Sequence, residues 1–267
     1  MLDFQTLLIL LALGAVVGVA AGLLGVGGGA IMVPAFTALF LAEGVPQAQL
    51  VHLALGTSMA SIIMTSISSL RAHHARQGVV WPVVRAMVPG VLAGSFLGAL
   101  LTPLFNGVLL AGFFSLFMAY VAVGMFRHSP VPVSGGLPGR PAQIAAGAGI
   151  GVISALVSIG GGTLTVPYLV RHGVEIKRAI GSSAAVGLPI ALAGTLGYVI
   201  SGWASTDMSQ LRIGFVYLPA VLCVSLVSYF TAPLGVRIAY KLPVPMLKKV
   251  FGVLVFSVSL KMLLSLL

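Results

Sequence analysis

Charged residues are scarce in this sequence, and acidic residues are nearly missing. Its 267 residues include 14 Lys or Arg, 4 Asp or Glu and a single Cys. A soluble domain carries about 25% charged residues, so a charged fraction of 7% excludes that class. The lone Cys223 excludes an intrachain disulfide and a cysteine-based metal cluster. What is abundant is apolar, with 59% hydrophobic residues, and this composition is typical of a polytopic membrane protein.

The net charge of +10 does not indicate a nucleic-acid partner, because the basic residues are not interleaved with aromatic ones. In a membrane protein such an excess sets orientation in the bilayer. The N-terminus lacks the basic stretch of a cleaved signal peptide, so we expect it to begin the first span. His73 and His74 have no carboxylate or cysteine neighbours in sequence, so we expect no metal and no cofactor.

Apolar stretches of helical length follow one another along the whole chain. One linker, residues 127–141, contains four prolines and three glycines and cannot be helical. It separates a first membrane repeat, 1–126, from a second, 142–267. The ten predicted segments are 4–25, 30–42, 50–69, 79–101, 105–126, 142–159, 163–172, 179–200, 213–235 and 246–267.

The two halves resemble each other in sequence. Residues 18–34, GVAAGLLGVGGGAIMVP, align without a gap with 151–167, GVISALVSIGGGTLTVP, at eight of 17 positions. Gly56-Thr57-Ser58 then matches Gly181-Ser182-Ser183, and a looser match begins at Pro89 and Pro219. Each half therefore holds about five helical segments in the same order.

An odd number of segments per half predicts that the halves are inverted in the membrane. With the N-terminus outside, eleven of the 14 Lys and Arg residues fall on the inner side. Asp3, Glu43 and Asp207 fall outside. The sequence therefore predicts an all-α membrane protein with two inverted-topology repeats, both termini in the periplasm and the linker in the cytoplasm.

The glycine triplets precede stretches too short to cross the bilayer. Segments 30–42 and 163–172 reach only ~20 and ~15 Å as helices, which predicts broken or re-entrant helices that start inside the membrane. Free N–H groups at such a helix start bind anions. The candidate substrate site is therefore made of both triplets and the residue after each: Gly27, Gly28, Gly29, Ala30, Gly160, Gly161, Gly162 and Thr163. The alternative is that these glycines only allow close helix packing.

We expect valine at Gly28 or Gly161 to occupy the ligand's position or to disturb a positive-φ turn. Alanine at Gly14, outside the motif, is expected to be mild.

Hydroxyl groups recur beside a second glycine in each half. Thr57, Ser58, Ser182 and Ser183 are candidate oxyanion ligands, although such hydroxyls also bond back to the helix backbone. Arg85 and His52 are candidates for anion attraction or gating. The alternatives are that Arg85 extends toward the membrane surface and that His52 is structural.

These motifs together resemble the sulfite exporter TauE/SafE family, also called the toluene-sulfonate uptake permeases. The resemblance rests on GLLGVGGGAIMVP, LALGTSM, RAHHARQGVVW, SIGGGTLTVP and IGSSAAV, and it covers almost the whole chain. It implies a bacterial or archaeal inner-membrane transporter of sulfite, sulfonates, sulfoacetate or related organic anions. The second repeat departs from the first at Ala155 and Ser158, where the first has Gly22 and Gly25.

The predicted function is a secondary transporter of a small anion that works by alternating access. A proton as the coupling ion and assembly into a homo-oligomer are both left open. An anion channel is the near alternative. An intramembrane enzyme is disfavoured, because no acid lies within a span and no G-x-S-x-G motif occurs. No Walker A motif is present either.

Overall fold

A computed structural model describes residues 3–126 and 136–241, together with positions 253 and 257. Within these ranges nearly every element is an α-helix, as the apolar composition predicts. The nine helices of the two long ranges are α1 (Phe4–Leu24), α2 (Gly29–Ala42), α3 (Gln47–His74), α4 (Trp81–Leu100), α5 (Gly107–Phe126), α6 (Arg140–Leu156), α7 (Gly162–Arg171), α8 (Ile176–Ser201) and α9 (Leu218–Lys241).

Six of these helices are long and apolar enough to cross a membrane: α1, α3, α4, α5, α8 and α9. Helix α2 is apolar but has 14 residues, and α7 has 10. The molecule is therefore a multi-pass, all-α membrane protein. The predicted tenth segment, 246–267, apart from positions 253 and 257, and most of the linker lie outside the described residues.

One predicted boundary is wrong. The segment expected over 213–235 does not begin as a helix, because Gly214 adopts a φ of 56° and turns the chain. Strands β1 (Arg212–Ile213) and β2 (Val216–Tyr217) pair antiparallel around that turn, and α9 starts only at Leu218. Short 3-10 turns at Trp203–Ser205 and Met208–Gln210 precede the hairpin.

Glycines at four-residue spacing bring the helices into backbone contact. In α1, Gly14 and Gly22 lie against the carbonyl oxygens of Val224 and Ala232 in α9. Both contacts advance by eight residues along each helix, so α1 and α9 run in the same direction. This small-residue spacing is the usual way for membrane helices to approach closely.

The same arrangement joins α4 to α6. Gly90 lies against the carbonyl oxygen of Ile144, and Gly98 lies against that of Val152. These two helices therefore also run in the same direction. At the centre, by contrast, Gly194 of α8 contacts Met59 of α3, while Gly187 contacts Ser66. Helices α3 and α8 are thus antiparallel.

The contacts correct the third sequence match. Gly14 meets Val224 in α9, and its counterpart Gly147 meets Met87 in α4. Met87 therefore corresponds to Val224, an offset of 137 residues that pairs Pro82 with Pro219. The expected pairing of Pro89 with Pro219 is wrong, because it follows residue identity, whereas Pro82 and Pro219 both occupy the second position of their helix.

Helices α2 and α7 fold back along their neighbours. The chain leaves α1 at Gly25 with φ 68°, and Gly28 then lies against Val17, about two turns back along α1. Four residues, 43–46, join α2 to α3, and 172–175 join α7 to α8. Such short connections place consecutive helices antiparallel, so each half contains a helix that turns back within the bundle.

Candidate functional site

The two glycine loops meet each other near the middle of the bundle. The N–H of Gly160 donates to the carbonyl oxygen of Val26 at 3.0 Å. A Cβ added at Gly27 would lie 2.9 Å from Cα of Gly160, so the two backbones touch there. Gly27 and Gly160 are equivalent positions of the sequence repeat.

Helices α2 and α7 both begin with an unsatisfied N-terminus at this junction. Gly28 and Gly161 precede them in left-handed conformations, with φ of 82° and 76°, and neither helix has a side-chain cap. The first donors with partners are Ile31 in α2 and Leu164 in α7. The N–H groups before them in each helix, those of Gly29, Ala30, Gly162 and Thr163, have no hydrogen-bond partner among the described residues.

Thr163 adds a side-chain donor at the second of these helix starts. It is 9% exposed, and its buried Oγ1 has no hydrogen-bond partner within the described ranges. Two adjacent N–H groups and a hydroxyl are therefore free at the start of α7. This combination can stabilise a negative charge without a cationic side chain.

The geometry changes the expected effect of a side chain at the glycines. A Cβ at Gly28 would strike Val17, and one at Gly161 would lie 2.7 Å from Cδ1 of Ile190. The expectation that it would also occupy the ligand's position stays a prediction. The constraint is the positive φ together with the close neighbour.

Gly14 is also tighter than expected. A Cβ there would lie 2.8 Å from the carbonyl oxygen of Val224, because Gly14 belongs to the α1–α9 interface. The prediction that Gly14→Ala is mild is therefore unsupported. Gly112, with nothing within 4 Å of an added Cβ, is the better control.

Two of the predicted hydroxyls complete the starts of other helices. Oγ1 of Thr57 accepts from the N–H of Tyr217 at 3.0 Å, and Oγ of Ser182 accepts from the N–H of Val80 at 2.9 Å. Each bond holds the residue just before α9 or α4. Both hydroxyls are therefore already engaged with the protein.

The neighbouring serines differ from one another. Ser183 donates to the carbonyl oxygen of Ile180 at 2.7 Å, a bond within its own helix. Ser58 is fully buried, and its Oγ has no partner in the described part of the chain. Of the four predicted hydroxyls, Ser58 is thus the one that makes no hydrogen bond among the described residues. Ser158 stands in the second half at the position of Gly25, and its hydroxyl donates across the bundle to the carbonyl oxygen of Leu55 at 2.8 Å.

A polar crevice beside the first glycine loop was missed by sequence reasoning. It lies between α1, α3 and α8 and is closed in this structure, with no room for a water molecule. Oγ of Ser69 is buried there and has no hydrogen-bond partner among the residues that the structure describes. The signal was present in the sequence, since hydroxyl residues recur every four positions at 57, 61, 65 and 69 and so share one face of a helix. The crevice is lined by Ala21, Gly25, Gly27, Thr65, Ser66, Ser69 and Ala184.

The two remaining candidates lie away from the glycine loops. Nε2 of His52 is 3.1 Å from the carbonyl oxygen of Thr102 and 3.2 Å from that of Phe105, and the ring packs on Phe215. Arg85 is exposed on α4 and lines a separate cleft with Arg140. Their roles in anion attraction stay predictions.

A comparison with known families identifies the chain. The model for the family described as "Sulfite exporter TauE/SafE" matches residues 10–262. The chain belongs to this family. The TauE/SafE resemblance inferred from the glycine motifs is therefore confirmed.

Curated relatives of this TauE/SafE protein carry concordant names. A "Probable membrane transporter protein" of Haemophilus influenzae is 36% identical over 265 residues, covering 98% of this chain and 100% of the relative. One from Xylella fastidiosa is 30% identical over 274 residues, covering 97% and 95%. One from Methanocaldococcus jannaschii is 27% identical over 246 residues, covering 90% of each chain. No solved structure matches the chain.

The TauE/SafE assignment makes this chain a membrane transporter and not an enzyme. No group of three or more His, Cys, Asp or Glu residues capable of holding a metal ion occurs among the described side chains.

Proposed function

We propose that this protein is a secondary transporter that carries a small sulfur-containing or organic oxyanion across the inner membrane by alternating access. The observation that carries the proposal is the junction of the two glycine loops. There, two helix N-termini without caps lie beside a hydroxyl-lined crevice, as an oxyanion requires.

Inverted repeats are part of this proposal. Helices α3 and α9 run in the same direction, since Thr57 bonds Tyr217 and Thr65 bonds Ser228 further along both helices. Helix α1 shares this direction because it runs parallel to α9. Helices α4, α6 and α8 share another, since Ser182 bonds Val80 and Gly197 meets Ala99. Because α3 and α8 are antiparallel, equivalent helices of the two halves point in opposite directions, which supports inversion.

Labelling of single cysteines in a Cys223→Ala background tests the inverted topology. We expect a membrane-impermeant thiol reagent to label position 205 from the periplasm and position 135 only after the membrane is opened. Outside labelling at 135 without labelling at 205 contradicts the proposed orientation.

Neutral donors suit the proposed task better than a buried cation would. A hydroxyl or an N–H can hold an oxyanion and release it again, whereas a desolvated ion pair is costly to separate. The four acids lie at helix ends or in loops: Asp3 caps α1, Glu175 precedes α8, Glu43 follows α2 and Asp207 precedes a 3-10 turn. This distribution gives no support to a carboxylate proton relay through the bundle.

Rocking of one half against the other is the proposed motion. The crevice is tightly closed in this structure, and the two halves contact each other at the glycine junction and along the helix pairs α1–α9, α4–α6 and α3–α8. A small shift between α3 and α8 would open the crevice toward one side. This is the behaviour expected of transporters built from inverted repeats.

An anion channel remains the second candidate, because free N–H groups also line conduction sites. Purified protein in liposomes distinguishes the two. We expect saturable uptake from a panel of sulfite, sulfate, sulfoacetate, taurine and toluenesulfonate, with counterflow when unlabelled substrate is loaded inside. Uptake that stays linear with concentration and shows no counterflow contradicts the carrier. No uptake of any panel member contradicts the proposed substrate class.

A further inference from the structure

A second polar site lies between the N-terminal ends of α4 and α6. It is a cleft of about 540 Å³, and its wall includes Pro82, Arg85 and Pro89 of α4. These three residues are exposed, and the same stripe of α4 continues with Leu92 and Leu97, which are 38% and 53% exposed. An exposed apolar stripe on a spanning helix is the surface that lipid covers. Arg85 therefore interrupts a lipid-facing surface and does not face the crevice.

The cleft has a concentrated positive potential. Arg85 and Arg140 both line it, and no acidic residue does so in the described part of the chain. Helices α4 and α6 run in the same direction and begin at this end, so the positive ends of their dipoles add. The N-cap residues of both helices lack a side-chain cap of their own, although the hydroxyl of Ser182 accepts from the N–H of Val80 just before α4.

A buried side chain inside the cleft lacks a donor. Gln143 is 8% exposed, and its Nε2 donates to the carbonyl oxygen of Pro138 at 2.7 Å. Its Oε1 is buried with no hydrogen-bond partner among the described residues. Leaving a buried acceptor unpaired is costly, and the group that completes this one must supply a hydroxyl or N–H.

The other half does not repeat this chemistry. The 137-residue offset places Leu222 of α9 at the position of Arg85, and Leu222 is 70% exposed. The arginine is therefore not a general requirement of this helix position. Trp81, the first residue of α4, lies one turn before Arg85 and is of the type that membrane interfaces favour.

We propose that this cleft binds the headgroup of an anionic phospholipid that carries both a phosphate and a hydroxyl, as phosphatidylglycerol does. Arg85 and Arg140 contact the phosphodiester, and Oε1 of Gln143 accepts from the headgroup hydroxyl. Basic pockets between helices at the membrane surface bind anionic headgroups in this way. The site is independent of the proposed substrate.

Fluorescence of Trp81 tests the site locally. The chain has two tryptophans, so Trp203→Phe leaves Trp81 as the only indole. The protein is reconstituted in phosphatidylcholine vesicles containing increasing fractions of brominated phosphatidylglycerol or brominated phosphatidylcholine. Quenching then reports which lipid occupies the surface near α4.

We expect phosphatidylglycerol to be preferred over phosphatidylcholine by about 25-fold, with about fivefold lost for each arginine removed. Arg85→Gln/Arg140→Gln should bring the preference close to one, and the corresponding double lysine variant should retain most of it. Arg237→Gln is the matched control, because it removes the same charge from an exposed position of α9. An unchanged preference in the double glutamine variant overturns the proposal.

Two further arms separate related explanations. Phosphatidylmethanol has the phosphodiester charge without the hydroxyl, so we expect weaker quenching with it, and Gln143→Leu should remove the difference between the two lipids. Equal quenching by both lipids in the unmodified protein overturns the role of Gln143. Loss of the phosphatidylglycerol preference on adding inorganic phosphate at constant ionic strength indicates a free-phosphate site and overturns the lipid assignment.

Discussion

Helices α3 and α8 occupy equivalent places in the two halves, yet their buried faces differ in chemistry. In α3, seven hydroxyl residues are buried: Thr57, Ser58, Ser61, Thr65, Ser66, Ser68 and Ser69. In α8, an offset of 125 places Ser182, Ser183, Val186, Ile190, Ala191, Ala193 and Gly194 at those positions. The glycine loops are shared by both halves, whereas the polar face belongs to one. Shared features therefore point to the common mechanism, and the unshared ones point to where a polar ligand would bind.

The largest loss of transport should come from changes in the glycine loops, which both halves share, and it should be equal in the two halves. We expect Gly28→Ala and Gly161→Ala each to reduce liposome uptake to background. A side chain held in the left-handed conformation costs about 1–2 kcal/mol, and each Cβ also meets a close neighbour, Val17 or Ile190. Size-exclusion chromatography identifies a variant that fails to fold.

Gly112→Ala is the control for both glycine variants and should transport normally. Val17→Ala combined with Gly28→Ala removes the steric contact and leaves the backbone strain, so partial recovery is expected. Normal transport by either single variant contradicts the equivalence of the two glycine loops.

The next effect should be confined to α3. Ser66→Ala/Ser69→Ala removes two crevice hydroxyls, and we expect uptake at subsaturating substrate to fall about 30-fold, from about 1 kcal/mol per lost hydrogen bond. Ser68→Ala is the matched control, because its hydroxyl donates to Tyr229 and not into the crevice. If the control loses as much uptake as the double variant, the crevice is not the substrate site.

A third comparison sets Ser58 against its neighbour Thr57. Removing the unpartnered hydroxyl with Ser58→Ala should leave thermal stability unchanged or raise it by about 1 kcal/mol, while transport falls. Thr57→Val should instead lower stability by about 1–2 kcal/mol, because the N–H of Tyr217 loses its acceptor. Thermal unfolding in detergent, measured beside uptake, distinguishes the two. A Ser58→Ala protein with unchanged uptake removes Ser58 from the site.

The smallest effect concerns a pair of equivalent bonds with different side chains. Nε2 of His73 lies 3.2 Å from the carbonyl oxygen of Gly22, and the hydroxyl of Tyr198 donates to that of Ala155 at 2.8 Å. We expect His73→Phe and Tyr198→Phe each to cost about 1 kcal/mol of stability, with little change in transport. Loss of transport without loss of stability in either variant contradicts a structural role.

Hydropathy and glycine placement predicted most of the helices, because both act locally. The break before Gly29 and the one before Gly162 follow from short apolar segments after a glycine triplet. The hairpin at 212–217 was missed, because its strands are only two residues long and its turn depends on the conformation of Gly214.

The candidate site was predictable only in outline. Free helix N-termini follow from the broken segments, and both are present. Which hydroxyls stay free depends on contacts between distant helices: Thr57 is taken by Tyr217, while Ser69 is left unpaired. The offset that aligns α4 with α9 in the sequence repeat likewise came from backbone contacts, because residue identity alone suggested a different alignment.

The hydrogen bond between the glycine loops is made once, although the repeat offers it twice. The N–H of Gly160 donates to Val26, and the equivalent bond would join the N–H of Gly27 to the carbonyl oxygen of Ile159. That oxygen instead accepts from Gly161 at 2.8 Å. In the proposed mechanism the two inverted halves exchange conformations. The bond from Gly160 to Val26 would then break, and the equivalent bond from Gly27 to Ile159 would form, once in each cycle. Under the proposed alternating access, the junction would have two hydrogen-bonding arrangements, and the bond from Gly160 to Val26 is one of them.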